Sequence, residues 1–283
     1  MNKKTRREFI QLAGMSTIAA TMAVTMNASA KSKRSAEKDS SKSLNLGMAS
    51  YTFRNFNVDK TIAMTKRLGL KRISFKSMHL PLESTQEQIK GIVAKIKEFD
   101  LELYGCGVVY MKNEAEVHQA FDYAKTAGMK VIIGVPEHNL LDLVNKKVQE
   151  YDIKLAIHNH GPGDERYPSP QSAYEKIKDM DPRMGLCIDI GHTIRIGLDP
   201  TEDTERFADR LHDVHIKDVS AASEAGKTIE MGRGVIDIPG FLQTLLKINY
   251  TGTVAFEFEK DKEDPLPGVA ESVGYVRGVL SVI

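Results

Sequence analysis

The stretch Leu186-Cys187-Ile188-Asp189-Ile190-Gly191-His192 has the pattern of a buried β-strand that ends on polar residues. An apolar run carries Asp189 at its end, Gly191 allows a sharp turn, and His192 follows directly. An ionised carboxylate in apolar surroundings is costly unless a partner neutralises it, so Asp189 is predicted to have a close partner. Three other predicted strands also end in a polar residue, namely His158, His215 and Glu257.

A divalent metal ion is the simplest partner that would gather these four strand ends. Two imidazoles and two carboxylates form a mixed nitrogen and oxygen set, which suits Mn²⁺, Zn²⁺, Co²⁺ or Fe²⁺ better than Ca²⁺. Each residue also has a structural alternative. Asp189 could cap the next helix, His215 could be a satisfied core histidine, and Glu257 could form a salt bridge at the rim.

The rest of the chain indicates the fold. From Leu44 onward, short runs rich in β-branched residues alternate with longer segments that have apolar residues three and four apart. Eight such strand–helix units predict a parallel sheet closed into an α/β (β/α)₈ TIM barrel, a single domain over residues 44–283. The open doubly wound sheet is the rival, but no G-x-G-x-x-G follows the first strand. Ser84 and Glu87 form a capping-box pattern at one helix start.

The N-terminal region differs from the rest of the chain. Residues 1–30 place basic residues, including Arg6 and Arg7, before a weakly apolar stretch and Ala28-Ser29-Ala30. This layout predicts a secretory signal peptide of the twin-arginine type, so the mature protein is expected to be periplasmic or otherwise exported. Residues 31–43 are rich in Ser and Lys and predict a flexible linker. We expect no stable membrane association after the signal is removed.

Composition limits the classes of partner. The 283 residues are 41% hydrophobic and 27% charged, which is ordinary for a globular protein. The formal net charge of +1 provides no global basic field for a nucleic acid partner. The sequence does not indicate an oligomeric state.

Five short motifs occur in a fixed order after the midpoint: Ile157-His158-Asn159-His160-Gly161, Asp189-Ile190-Gly191-His192, Val214-His215-Ile216-Lys217-Asp218, Gly232-Arg233-Gly234 and Phe256-Glu257. In this combination the chain resembles the xylose isomerase-like TIM barrels, also called the sugar phosphate isomerase/epimerase family. The resemblance implies one divalent metal ion held by His158, Asp189, His215 and Glu257. One position departs from the family pattern, because His158 stands where a Glu is common.

The resemblance implies a metal-dependent isomerase or epimerase that acts on a small carbohydrate through an enediolate. A free or oxidised sugar is expected rather than a sugar phosphate, because no basic cluster is evident. Glu257, His160 and Glu137 remain alternatives for the group that moves the proton, since the usual pair of carboxylates is incomplete. Substrate contacts are expected from five residues: Tyr51, Asn159, His192, Lys217 and Arg233.

Two other functions remain open at this stage. The same barrel could be a lyase or hydrolase acting on a keto-sugar, because the departure at His158 changes the set of groups that can transfer protons. It could also be a carbohydrate-binding barrel without catalytic activity.

Overall fold

Eight apolar segments form eight parallel strands in the computed structural model, which describes residues 43–283. The strands are β1 (Asn45–Ala49), β2 (Arg72–Phe75), β3 (Glu102–Met111), β4 (Val131–Pro136), β5 (Lys154–His158), β6 (Met184–Asp189), β7 (Leu211–Ile216) and β8 (Thr253–Phe256). Each strand pairs with its neighbours in chain order, and β1 pairs with β8 to close the barrel. The predicted TIM barrel is therefore confirmed.

Helices follow the strands and cover the outside of the barrel with their apolar faces. Helix α3, for example, buries Val117, Phe121 and Ala124 and ends at Gly128, which adopts the left-handed conformation that favours glycine. The helices are α1 (Val58–Arg67), α2 (Gln86–Glu98), α3 (Glu114–Ala127), α4 (Leu141–Tyr151), α5 (Pro170–Ile177), α6 (Ile190–Arg195), α7 (Pro200–Arg206), α8 (Ile238–Lys247) and α9 (Leu266–Leu280).

Strand register brings the polar strand ends to one rim. His158 at the end of β5 lies beside Cys187 of β6, and Asp189 at the end of β6 lies beside His215 of β7. Glu257 directly follows β8, which is in register with β7. Because all eight strands are parallel, these ends share the carboxyl-terminal face of the barrel, where active sites of this fold lie. A small antiparallel ribbon, residues 218–219 paired with 228–229, follows β7 at the same face.

Two expectations from the sequence concern parts of the chain beyond the barrel core. The predicted signal peptide, residues 1–30, and the linker through residue 42 lie outside the described residues and stay predictions. Within residues 43–283, none of the helices has the length and apolar character needed to span a bilayer.

The capping box of α2 lies one residue later than the sequence analysis placed it. Thr85, not Ser84, is the N-cap, and its hydroxyl accepts a hydrogen bond from the backbone N–H of Gln88 at 3.2 Å. The Gln88 side chain accepts one in return from the Thr85 N–H at 2.8 Å. Thr and Gln satisfy the same pattern as Ser and Glu, so the two adjacent registers could not be separated by sequence alone.

Replacing the cap residue tests this register. Thr85→Ala is expected to lower the stability by about 1 kcal/mol, because it leaves a helix N–H without an acceptor. For a domain of this size, that corresponds to a loss of about 2–4 °C in melting temperature. Ser84→Ala is the matched control and should leave the melting temperature unchanged. A larger loss from Ser84→Ala than from Thr85→Ala would contradict the register.

Candidate metal centre and active site

Four side chains from four strand ends converge at the carboxyl-terminal rim. His158, Asp189, His215 and Glu257 each offer a ligand atom, and these atoms all lie within 4.8 Å of one another. His158 Nε2 is 3.1 Å from His215 Nδ1 and 3.5 Å from Asp189 Oδ2. His215 Nδ1 is 3.3 Å from Glu257 Oε2. All four residues are buried, and we refer to them as the four-residue cluster.

The four-residue cluster fits a divalent metal ion. His158 Nε2 and His215 Nδ1, the two ring nitrogens that face each other, join the Asp189 and Glu257 carboxylates in a compact set of two nitrogen and two oxygen donors. Imidazole nitrogens and carboxylate oxygens are ligands that transition-metal ions such as Zn²⁺, Mn²⁺ and Fe²⁺ take in proteins. Cys187 forms a second possible group with the two histidines. Burial and the nearby Asp213 raise the pKa of the Cys187 thiol well above its usual value, so it stays protonated and is a poor ligand.

Asp189 acts both as a helix cap and as a member of the cluster. Its Oδ1 accepts a hydrogen bond from the His192 N–H at 2.8 Å, which caps α6, while Oδ2 faces the cluster. Asn159 holds the backbone of Asp189, because its Oδ1 accepts a hydrogen bond from the Asp189 N–H at 3.0 Å. The Asn159 amide also donates to Thr193 Oγ1 at 3.1 Å, so the structure places Asn159 as a buried positioning residue.

Charge at the cluster is divided between carboxylates and one ammonium group. Burial would raise the pKa of Asp189, but His192 and Lys217 more than offset this and hold it below its usual value. Burial would also raise the pKa of Glu257, but Lys217 and His215 outweigh this effect and hold it well below its usual value. Burial lowers the pKa of His158 well below its usual value. His158 is therefore a neutral imidazole with a lone pair available for a metal ion.

Lys217 is the cation that balances the cluster. Its Nζ lies 2.9 Å from Asp189 Oδ2 and 2.7 Å from Glu257 Oε2, and it also contacts the Glu259 carboxylate. These three carboxylates outweigh the effect of burial and raise the pKa of Lys217 well above its usual value. Gly191 makes room for the lysine, because a Cβ there would lie 2.5 Å from Lys217 Cγ.

Removal of this ammonium should make folding depend on metal. Lys217→Met leaves two buried carboxylates without their cation and is expected to cost about 3–5 kcal/mol in the presence of a chelator. Added Mn²⁺ or Zn²⁺ should restore much of this loss, since a bound ion stabilises the folded state. Urea unfolding followed by circular dichroism measures both effects. Lys247→Met is the matched control, because Lys247 forms an exposed pair with Glu205. Unchanged stability of Lys217→Met in chelator would contradict this charge balance.

Two further histidines border the cluster. The ring centroid of His160 is 4.5 Å from that of His158 and 5.9 Å from that of His192. His160 Nε2 is 3.0 Å from the Tyr110 hydroxyl. Burial lowers the pKa of both His160 and His192, so both are neutral at pH 7 and could exchange protons with a substrate.

Two other predicted residues, Tyr51 and Glu137, are not members of the four-residue cluster. Tyr51 lies at the rim, with the Arg54 guanidinium and the Lys76 ammonium over its ring at 4.9 and 5.3 Å from the centroid. Glu137 is half-exposed and accepts a hydrogen bond from Arg166 Nε at 2.7 Å. The structure does not bring Glu137 into the four-residue cluster.

Arg233 forms a surface ion pair. Its guanidinium is exposed and forms two hydrogen bonds with Glu271, at 2.6 and 2.7 Å. The flanking glycines serve a structural purpose, since both donate their N–H groups to the buried Asp218 carboxylate. Asp218 also accepts from the N–H groups of Val219 and Ile236, so the turn is folded around one carboxylate. The structure therefore does not bring Arg233 into the four-residue cluster, and its contact with a substrate stays a prediction.

A cavity of about 540 Å³ opens beside the cluster. His192, Lys217 and Glu259 form its side nearest the cluster, and residues of the 218–229 ribbon form another wall. This volume lies in the range of small-molecule sites. The cavity is therefore the candidate substrate pocket.

The fold and the cluster agree with the family comparison. The chain belongs to the xylose isomerase-like TIM barrel family, whose model matches residues 57–279. This confirms the resemblance drawn from the motifs.

Curated proteins match about half of the chain. The inosose dehydratase of Geobacillus kaustophilus (strain HTA426) is 28% identical over 146 residues, which is 46% of this chain and 45% of that protein. The chain spans about half the length of the curated relatives it matches.

Solved structures show the same fold. The structure of an L-ribulose 3-epimerase is 15% identical with a TM-score of 0.68, covering 84% of this chain and 95% of that one. A structure of IolI protein with a bound zinc atom is 16% identical with a TM-score of 0.69, covering 84% and 98%. At these identities the likeness establishes the fold alone.

Metal content tests the cluster directly. The purified protein is expected to hold about one divalent ion per chain, as a single mixed-ligand site does. His215→Ala should lose most of that ion, because it removes one of four ligands. His118→Ala is the control, since His118 is exposed and distant in sequence from the cluster. Elemental analysis after dialysis gives the ratio, and equal metal content in both variants would exclude His215 as a ligand.

Proposed function

We propose that the protein is a metal-dependent lyase that removes a proton next to the carbonyl of a keto-sugar or keto-cyclitol and expels a neighbouring oxygen group. The four-residue cluster carries this proposal, because it combines a metal-binding donor set with one ionised carboxylate, Glu257, beside a cavity of substrate size. A bound divalent ion would polarise the carbonyl oxygen and stabilise the negative charge that develops there.

Glu257 is the proposed proton acceptor. Its carboxylate is ionised, and Lys217 and His215 hold it in place at 2.7 and 3.3 Å. Glu257 takes the proton from the carbon beside the carbonyl, and the electron pair of that C–H bond forms the new C=C bond. The C–O bond to the leaving group breaks at the next carbon. The proton taken by Glu257 then passes to the leaving oxygen, so water or an alcohol departs.

The residue at the end of β5 favours elimination. An epimerase has to remove a proton on one face of a carbon and return a proton on the opposite face, which requires two positioned groups. His158 lies where the family commonly has the second carboxylate, and it is a neutral imidazole in contact with His215. Elimination on one face of the substrate needs only Glu257. The dehydratase name of the similar Geobacillus protein supports the same direction.

Epimerisation is the second candidate, and one observation favours it. His160 lies at the rim, hydrogen-bonded to Tyr110, and its neutral imidazole could take up a proton from solvent and deliver it to the carbon that Glu257 had deprotonated. In that case the product retains every oxygen of the substrate, and only the configuration at one carbon changes.

Reaction in D₂O separates these functions. With a keto-cyclitol such as inosose, or with a keto-hexose series, elimination yields an unsaturated product, which nuclear magnetic resonance detects. Epimerisation instead yields a saturated isomer that carries deuterium at the inverted carbon. Glu257→Gln should reduce either rate by about 10²–10⁴-fold, as expected for loss of a general base.

Glu271→Gln is the control, because Glu271 pairs with Arg233 outside the site. A deuterated saturated isomer with no unsaturated product would exclude the lyase in favour of the epimerase. Binding of sugars without proton exchange or product would identify a carbohydrate-binding barrel instead.

A further inference from the structure

We propose that the cavity beside the four-residue cluster holds an anionic oxygen group of the substrate, a carboxylate or a phosphate, through Arg195 and Lys227. This inference deepens the proposed function by naming the substrate class, and it rests on that function only in placing the anion beside a reacting carbon. The cavity walls carry Arg195, Lys217, Lys227 and Lys260, against a single carboxylate, Glu259.

Two of these cations have no carboxylate partner within residues 43–283. Lys217 is neutralised by Asp189, Glu257 and Glu259, as described above. Lys260 pairs with Glu230 at 2.8 Å. Neither Arg195 nor Lys227 forms an ion pair with any described residue, so the positive charge of the cavity is not balanced by the protein.

Arg195 is held in place but not saturated. Its Nη2 donates to the Glu224 carbonyl at 2.9 Å, and its Nη1 is 3.4 Å from His192 Nδ1. Its Nε is buried and has no hydrogen-bond partner among the described residues. A guanidinium that lines the cavity and is fixed by neutral partners alone is suited to bind a carboxylate or phosphate through charge-assisted hydrogen bonds.

His192 connects this subsite to the four-residue cluster. A guanidinium can only donate, so His192 Nδ1 is the acceptor and the ring proton is assigned to Nε2. That Nε2 is 3.9 Å from Asp189 Oδ2. Arg195 therefore lies one imidazole ring away from the cluster. A small substrate could place its carbonyl at the cluster and its anionic group at Arg195.

This subsite modifies an expectation from the sequence. A free or oxidised sugar, rather than a sugar phosphate, was expected because no basic cluster was evident along the chain. Arg195 lies on α6, Lys227 precedes the second strand of the ribbon, and Lys260 follows β8, so only the barrel closure brings them to one cavity. An oxidised sugar that carries a carboxylate remains consistent with both observations.

Anion binding tests the subsite without any turnover. Isothermal titration of the purified protein at low ionic strength, with inorganic phosphate and separately with malonate, compares the two possible anions. Arg195→Gln should weaken binding by about tenfold or more, since a hydrogen bond to a charged group contributes about 1.5–3 kcal/mol. Lys227→Gln should weaken it severalfold, because its side chain is exposed. Arg195→Lys, which keeps the charge, should restore part of the affinity.

Arg206→Gln and Lys247→Gln are matched controls, because both side chains are exposed and outside the cavity. Equal affinity of the parent, Arg195→Gln and Lys227→Gln would overturn the subsite, as would the absence of binding at millimolar anion. Lys227→Gln keeps the test valid if Arg195→Gln fails to fold. Loss of anion binding in the variants of a protein that converts no keto-sugar would uphold the subsite and refute the proposed function. Turnover of keto-sugars with equal kcat/KM for neutral and anionic substrates would uphold the proposed function and refute the subsite.

Discussion

Two buried carboxylates and one partly exposed carboxylate meet at one rim of this barrel, and the rest of the site depends on how their charge is balanced. The Lys217 ammonium contacts Asp189, Glu257 and Glu259. Burial of one uncompensated carboxylate would cost several kcal/mol, so the adjacent Asp189 and Glu257 could not both remain ionised without a cation. Two neighbouring residues support this contact. Gly191 leaves space for the lysine stem, and Asp218, next in sequence, fixes the loop that follows.

The sequence allowed the barrel and the four-residue cluster to be predicted for one physical reason. Parallel strands end at the same rim, so a polar residue at the end of each of four apolar strands must approach the other three. Asp189 shows the limit of such reasoning. Capping and metal binding were alternatives at the level of sequence, yet in the structure one Asp189 oxygen caps α6 while the other faces the cluster. A carboxylate has two oxygens, so the two interpretations were never exclusive.

Other residues of the site could not be found in this way. Tyr110 reaches His160 because β3 runs on to Met111, which no strand-end signal in the sequence indicates. Arg195 and Lys227 lie on segments with no strand-end signal, and only the closed barrel brings them together. Arg233 shows the opposite case, because the structure places it outside the four-residue cluster. Its flanking glycines suggest a ligand loop, but they donate to Asp218, while the arginine points to a surface glutamate. Residue type and spacing do not reveal which carboxylate a glycine turn surrounds.

The Asp218 carboxylate accepts four backbone N–H groups, from Val219, Gly232, Gly234 and Ile236. These contacts join the residue at the start of the ribbon to the chain that follows the ribbon. Segments between the two anchored sides can therefore gain, lose or exchange residues while the strand that carries His215 keeps its position. In evolutionary terms, the wall of the pocket can diversify independently of the chemistry beneath it, which would let one scaffold acquire new substrates through changes in a single surface loop.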